Sequence, residues 1–405
     1  MKNGLRLITH TNKESKVTEI DVWIKAGGRY ETNETWGYAH ILEHMLLKGT
    51  EKYPDVFAVH SKLDRAGAYA NAYTGVDQVR FVFQVAGKYT DSFLELMAEI
   101  IRRPLLDGDV FENEKKVVLE ELHKTESTPD QFAARVNLNK VFQGHPLERY
   151  SLGTEESVRS ATAEKIREYY KRFYAPNNAA IVVIGPDKHI AVKNIVEKYF
   201  GDWAKSDSLE NNNQIPKHPQ KRKFFHLNDI KQTYIFLNYY TPGADSTREQ
   251  AALDLVASYL GYGFSSPLLQ ELRVKKGLVY NVSANNFFNA DAGRFMLYTF
   301  TTKPKEVIVT FKEVVQKLKD RFSEGMLPEI KAQRVGQFLR VSADPFHEGD
   351  ILGRNFILRN KLISPDDYVA EINKVTYTDI KNVIEKYLVE DNSFLTIVGP
   401  EDVAA

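Results

Sequence analysis

The chain has 405 residues, of which 43% are apolar, with 54 basic and 54 acidic side chains and no cysteine. This length suffices for two domains with apolar cores, and the absence of a basic excess argues against a nucleic-acid partner. No stretch approaches the roughly 18 apolar residues of a membrane helix, and the polar start of the chain does not resemble a signal peptide, so we expect a cytoplasmic protein. Without cysteine, any transition-metal site must use histidine and carboxylate side chains.

Periodicity predicts a mixture of strands and helices in the first half of the chain. In chain order these are a half-buried strand at Thr18–Lys25, a helix at Ala39–Leu47, a strand at Gln78–Val85, helices at Tyr89–Arg102, Phe111–Lys124 and Ala163–Phe173, and a buried strand at Ala179–Ile184. The strands and helices do not follow a regular βαβ spacing. They therefore favour an α+β fold in which helices pack on a mostly antiparallel sheet.

Two distant segments share a pattern at one fixed offset. Asn177–Asp187 and Asp391–Glu401 both have Asn as their second residue, followed by a mostly apolar stretch and then Gly-Pro and an acid, and Gly399 lies 214 positions after Gly185. Shorter matches keep the same offset: Thr162–Ile166 with Thr376–Ile380, Arg80-Phe81 with Arg294-Phe295, and Ala70-Asn71 with Ala284-Asn285. Chance matches would not keep one offset over this length, so we predict an internal duplication that gives two homologous α/β-sandwich domains.

The domain boundaries follow from the repeat. We place the first domain at 1–203 and the second at 224–405. The intervening segment, 204–223, is polar and contains three consecutive asparagines and two prolines, which is typical of a linker.

The predicted helix at Ala39–Leu47 contains His40-Ile-Leu-Glu43-His44. Residues four apart share a helix face, so the two imidazoles can bind one Zn²⁺ ion. Glu43 lies at the edge of that face, where its carboxylate can take a proton from a zinc-bound water, whose pKa is lowered to about 7. This order inverts the commoner His-Glu-x-x-His and is a peptidase signature. Taken alone, the pentapeptide is also compatible with a solvated helix face.

A catalytic zinc site has three protein ligands and one open position, so a third ligand must come from elsewhere. The predicted helix at Phe111–Lys124 is the best source, because Glu114 and Glu121 lie seven residues apart on one face. Glu120 points about 100° away from Glu121. We therefore predict Glu121 as the third ligand and Glu114 as a carboxylate that orients a ligand histidine.

The duplication tests this assignment independently. The four predicted site residues His40, Glu43, His44 and Glu121 are replaced, 214 positions later, by Asp254, Ala257, Ser258 and Val335. Joint loss is expected of residues that act together as one site rather than as separate requirements of the fold. We therefore predict one zinc ion per chain, bound in the first domain.

These motifs resemble those of the pitrilysin-like (insulinase) zinc metallopeptidases, in particular the short-chain, two-domain branch that includes the mitochondrial processing peptidase. The resemblance covers nearly the whole chain and depends mainly on the His40–His44 motif and on Glu114 and Glu121, the last placed 77 residues after His44. Other segments that look like the family are Asn71-Ala72-Tyr73-Thr74, Gly144-His-Pro-Leu, Leu152–Glu156 and Gly263–Tyr280.

The resemblance implies roles beyond the metal motif. It implies that Arg273 and Tyr280 are catalytic contacts to the substrate carbonyl and the oxyanion. We expect an extended peptide substrate to add as a strand at a sheet edge formed by Asn71, Ala72 and Thr74. The family's closed chamber needs four domain copies, so two chains of this length should pair, as a homodimer or as a heterodimer with a related chain.

The sequence as a whole predicts a zinc-dependent endopeptidase that hydrolyses peptides or unfolded polypeptide segments through a zinc-bound water, with Glu43 as the general base. The alternative is a non-enzymatic or accessory subunit of a peptidase-like heterodimer, which would lend Arg273 and Tyr280 to its partner. A third interpretation is a structural zinc site. Such a site is closed, so an acidic residue beside the metal disfavours it.

Overall fold

The computed structural model of the protein describes residues 1–206, 222–228 and 230–403. Within them, each half of the chain forms one five-stranded sheet. The first sheet consists of β1 (Arg6–Thr11), β2 (Val17–Ile24), β3 (Tyr69–Thr74), β4 (Val79–Ala86) and β5 (Ala179–Gly185). The second consists of β6 (Arg222–His226), β7 (Thr233–Pro242), β8 (Val282–Phe288), β9 (Ala292–Thr301) and β10 (Ser393–Gly399).

The two sheets have the same topology. Their strand orders are β1-β5-β2-β4-β3 and β6-β10-β7-β9-β8. In each sheet one outer pair is parallel, β1 with β5 and β6 with β10, and the other neighbours are antiparallel. The predicted fold class, two homologous α/β-sandwich domains with helices on mostly antiparallel sheets, is therefore confirmed.

Helices connect and cover these strands. Those that precede the second sheet are α1 (Tyr38–Leu46), α2 (Val56–Ala66), α3 (Thr90–Arg102), α4 (Gly108–Ser127), α5 (Pro129–Val141), α6 (Glu155–Ser160), α7 (Ala163–Phe173) and α8 (His189–Phe200). Those that follow are α9 (Thr247–Gly261), α10 (Pro267–Leu269), α11 (Pro304–Gln316), α12 (Leu318–Arg321), α13 (Leu327–Ser342), α14 (Pro345–Arg359), α15 (Pro365–Lys374) and α16 (Tyr377–Tyr387). In the described part of the chain, no helix is long and apolar enough to cross a membrane.

The chain forms two compact units, each of which contains a segment from the other half of the sequence. Unit 1 comprises the described parts of Met1–Lys124, Arg149–Asn212 and Val341–Ser364. Unit 2 comprises those of Thr125–Glu148, Asn213–Arg340 and Pro365–Ala405. The domains at 1–203 and 224–405 stay a prediction from the repeat; in these two compact units, α5 lies in unit 2 and α14 in unit 1. Most of the predicted linker, 204–223, lies outside the described residues.

The exchanged helices cover the second face of each sheet, and this burial explains their placement. Leu352 of α14 packs in an apolar cluster with Trp23 of β2. Val136 of α5 packs in an equivalent cluster with Phe236 of β7. Each sheet is thereby covered by apolar contacts on both faces, which removes more apolar surface from water than one covered face could.

Strand β2 matches the strand predicted at Thr18–Lys25, but the prediction that it is half-buried was wrong. Every residue after Val17 in β2 is buried. Its outer side carries Glu19 and Asp21 beneath α14, and the guanidinium of Arg80 pairs with them at 3.0 and 3.1 Å. The alternating polar residues are therefore paired with one another under a helix, whereas the prediction assumed that they face water.

Candidate metal centre

Helix α1 packs on the core with one side and leaves the other for the candidate ligands. Ile41 and Met45 on its inner side are buried. The helix begins after Gly37, whose φ of 95° lies in the left-handed region. The buried Glu31 carboxylate accepts hydrogen bonds from the backbone N–H groups of Gly37 and Ala39, both at 2.8 Å. These bonds satisfy donors that have no partner inside the helix and fix the start of α1.

The three predicted metal ligands lie together in unit 1. The rings of His40 and His44 are 4.7 Å apart between centroids. Glu121 of α4 brings its Oε2 atom to 3.5 Å from His40 Nε2 and 3.7 Å from His44 Nε2, whereas Glu120 is exposed. Among the described residues, these three form the one group of three or more histidine and acidic side chains whose candidate ligand atoms all lie within 4.8 Å of one another.

The chemistry of this group suits zinc. Two ligand atoms bound at about 2.0–2.1 Å to one tetrahedral zinc ion lie about 3.3 Å from each other. The distances from the Glu121 oxygen to the imidazole nitrogens of His40 and His44, 3.5 and 3.7 Å, are close to this separation. Burial, together with the neighbouring His44, lowers the pKa of His40 to about 3. Its imidazole is therefore neutral at physiological pH, which is the form that binds a metal.

Glu114 lies between His44 and a lysine. Its Oε2 atom is 3.3 Å from His44 Nδ1, and its Oε1 atom is 2.8 Å from Lys48 Nζ. Glu114 itself is buried. A carboxylate on Nδ1 fixes the orientation of a ligand ring and leaves Nε2 for the metal, so the contact has the geometry expected of an orienting residue.

Glu43 lies beside the three candidate ligands and receives one hydrogen bond from strand β3. Thr74 Oγ1 donates to Glu43 Oε2 at 2.5 Å. Burial raises the pKa of the Glu43 carboxyl, and the bond from Thr74 and the nearby His44 partly offset this effect. The pKa of the Tyr174 phenol is raised well above its ordinary value, mainly by burial and then by the negative charge of the nearby Glu43 carboxylate. A carboxyl group with a raised pKa suits proton transfer near neutral pH.

The predicted substrate strand is the edge strand β3. Ala72 and Thr74 face the helix side, where Ala72 is buried. The Asn71 side chain faces the other way and donates to Tyr69 at 3.2 Å and Tyr73 at 2.9 Å. The Ala72 N–H donates to Asn71 Oδ1 at 2.9 Å, so it does not pair with β4 and points to the free edge. Alternate residues of an antiparallel strand share this direction, so Thr74 also presents its backbone to the edge.

Arg273 and Tyr280 lie in unit 2, apart in the sequence from the metal ligands. The Arg273 guanidinium lies 4.7 Å from the centroid of the Tyr280 ring. The Tyr280 side chain is 76% exposed. Arg273 belongs to a π-helical turn at Gln270–Lys275, a form often found at functional sites. The two residues therefore form a stacked, solvent-facing pair.

The unit 2 positions equivalent to the two histidines make internal hydrogen bonds. Asp254, which replaces His40, accepts from Tyr368 at 2.6 Å, from Arg334 at 3.1 Å and from Asn286 at 2.9 Å. Ser258, which replaces His44, bonds to glutamines of α13. The two histidine positions of the second copy thus hold a hydrogen-bonded network, and Val335, which replaces Glu121, packs against the apolar core.

Sequence reasoning missed Glu31, Lys48 and the bond from Thr74 to Glu43. Lys48 lies just beyond the end of α1, and its ammonium group pairs with Glu114 of α4. Glu31 and Thr74 reach α1 from other elements. No local spacing indicates such contacts.

Two sequence models of one family match the chain. A model described as Insulinase (Peptidase family M16) matches residues 6–155, which include the whole candidate metal centre. A model described as Peptidase M16 inactive domain matches residues 160–334. The chain therefore matches both models of this family, one after the other along the sequence.

Curated relatives match over almost the full length of the chain. Uncharacterized zinc proteases of Rickettsia felis and Bacillus subtilis are each 26% identical, the first over 100% of this chain and 97% of its own length, the second over 98% and 97%. A protein of Arabidopsis thaliana named as probable mitochondrial-processing peptidase subunit beta is 25% identical over 99% of this chain and 77% of its own.

Solved structures share the fold. A protease from Helicobacter pylori superposes with a TM-score of 0.89 at 24% identity, over 99% of this chain and 98% of its own. A peptidase M16 inactive domain protein from Pseudomonas fluorescens gives 0.89 at 21% identity, over 100% and 98%.

Proposed function

We propose that this chain, which belongs to the M16 peptidase family, is a zinc-dependent endopeptidase that cleaves peptides or unfolded polypeptide segments. The observation that carries the proposal is the convergence of His40, His44 and Glu121 within 4.8 Å beside the partly buried Glu43. Relatives named as zinc proteases at 26% identity support the metal and the class of reaction.

A zinc ion held by these residues would supply a Lewis acid that activates water and polarises a peptide carbonyl. Glu43 takes a proton from the attacking water and gives it to the leaving amine. Glu114 keeps the His44 ring oriented. An extended substrate pairs with the free edge of β3, which the backbone of Ala72 and Thr74 faces.

We further propose that Arg273 and Tyr280 of one chain complete the site of a second chain, in a homodimer or in a heterodimer with a related chain. A guanidinium and a phenol are donors suited to a developing oxyanion, and the exposure of Tyr280 leaves its hydroxyl free to reach one. The two domain copies of this chain would then supply half of a four-copy chamber.

The proposed function is tested by zinc analysis together with a quenched-peptide assay. Glu43→Gln should keep one zinc ion per chain and lose about 10²–10⁴-fold in turnover, because it removes the base alone. Glu121→Gln should lose zinc, and the matched control Glu120→Gln should keep zinc and activity. Hydrolysis by the wild type that survives complete chelation would refute the proposal. Zinc binding without any hydrolysis would favour the accessory-subunit alternative.

The shared site is tested by mixing two inactive variants under conditions where chains exchange. One is Glu43→Gln, and the other carries Arg273→Ala and Tyr280→Phe. About half of the dimers are mixed, and each mixed dimer has one intact site, so activity should recover to about a quarter of the wild type. No recovery, with exchange demonstrated by differently tagged chains, would show that the site is not shared between chains.

A further inference from the structure

The contact between Thr74 and Glu43 joins two elements that are far apart in the sequence. Thr74 is the last residue of β3 and is paired with Val79 of β4. Two residues earlier on the same side of the strand, Ala72 is buried against the core. Pairing with β4 therefore holds one edge of the strand and core packing holds one face, so the Thr74 hydroxyl approaches α1 from a fixed backbone.

This hydroxyl donates a hydrogen bond to one of the two oxygens of the Glu43 carboxylate. Thr74 donates to Oε2 at 2.5 Å, and no other hydrogen bond reaches Glu43 from the described residues. Oε1 thus stays available to accept a proton. A glutamate side chain has several rotatable bonds, and a general base works only within hydrogen-bond reach of the proton it takes. A hydrogen bond that fixes Oε2 removes most of the rotational freedom of the carboxylate and therefore restricts the position of Oε1.

We propose that Thr74 is a positioning residue, which acts in the reaction by holding the Glu43 carboxylate in the orientation that lets Oε1 take the proton. The proposal rests on the proposed function. The role proposed for the Thr74 side chain differs from the substrate contact that we expect at this strand. That contact involves the Thr74 backbone and does not depend on the hydroxyl. The two roles separate in kinetics, because a substrate contact affects KM and base orientation affects kcat.

The test compares Thr74→Val, which keeps the shape and removes the hydroxyl, with Thr74→Ser, which keeps the hydroxyl. Loss of a hydrogen bond to a charged group predicts a fall in kcat of about 10- to 100-fold for Thr74→Val, with KM within about twofold and zinc content unchanged. Thr74→Ser should stay within about threefold of the wild type. Thr9→Val, the same substitution in β1 of this sheet, removes a hydroxyl that bonds His189 and not Glu43; it is the matched control and should leave kcat unchanged.

A double-mutant cycle shows whether Thr74 acts through Glu43. In a Glu43→Ala background, Thr74→Val should cause no further loss, because the group that it positions is absent. Multiplicative losses, a rise in KM with unchanged kcat, or loss of zinc from Thr74→Val would each overturn the role of Thr74 while the wild type stays active. A wild type without zinc-dependent hydrolysis would instead overturn the proposed function, and the role of Thr74 with it.

Discussion

Replacing Gly353 by alanine should loosen helix α14 from the first sheet. A Cβ atom at Gly353 would lie 2.0 Å from Trp23 Nε1 and 2.2 Å from its Cε2 atom. Trp23 is 1% exposed and its ring is rigid, so either the helix or the strand must move. One turn earlier, a Cβ atom at Gly349 would lie similarly close to the Asp21 carboxylate, 2.3 Å from Oδ2. The helix therefore packs on the sheet through its backbone.

The magnitude follows from two opposing effects. Overpacking a filled site costs about 1–3 kcal/mol, whereas alanine in a helix interior is about 0.5–1 kcal/mol more favourable than glycine. We expect Gly353→Ala to destabilise unit 1 by about 1–2 kcal/mol net. Gly108→Ala at the start of α4 is the matched control within unit 1, because a Cβ atom there meets nothing within 4 Å; it should be neutral or slightly stabilising.

Tryptophan fluorescence in urea measures this effect in unit 1. The three tryptophans of the chain, Trp23, Trp36 and Trp203, all lie in segments of unit 1. With a slope of about 2 kcal/mol per molar urea, the midpoint of Gly353→Ala should fall by about 0.5–1 M. A midpoint equal to or above that of the wild type would refute the close approach of α14 to β2.

Two further predictions concern the metal centre and the buried carboxylates. Glu114→Gln should weaken zinc binding about 10- to 100-fold in a chelator competition, because the His44 ring loses its charged partner; the exposed control Glu112→Gln should not, and equal affinities would contradict the orienting role. Burial and the neighbouring Asp21 raise the pKa of Glu19 well above its ordinary 4.5, so the unfolded chain releases a proton that the folded chain keeps. Stability should therefore fall as pH rises from about 5 through neutral values, and Glu19→Gln should flatten this fall in the fluorescence midpoint; a slope unchanged from the wild type would contradict it.

The sequence alone predicts correctly which site side chains share a face of one helix. Spacing along one helix predicts that His40 and His44 share a face, and spacing along another separates Glu121 from Glu120. In the structure, His40, His44 and Glu121 lie together, and Glu120 is exposed. Such predictions succeed because helical periodicity determines which side chains share a face before any packing is known.

Contacts between separate elements could not be predicted in this way. The bond from Thr74 to Glu43 and the capping of α1 by Glu31 depend on how a strand and a loop meet a helix. The burial of Glu19 depends on α14, which comes from the opposite end of the sequence. Alternation in β2 indicates two different faces, but it does not indicate whether the polar face meets water or a helix.

The exchanged segments occupy equivalent places in the repeat. Adding 214 to 125–148 gives 339–362, and the segment that passes the other way is 341–364. In a single-copy ancestor, a helix that packed on another molecule would leave one face of its own sheet exposed. The same helix of a second copy would cover that face, and the two molecules would form a domain-swapped homodimer. Joining the two genes end to end would convert that exchange between molecules into one within a molecule. Exchange of equivalent segments at the repeat offset is the arrangement expected if a helix-swapped homodimer were joined into one chain.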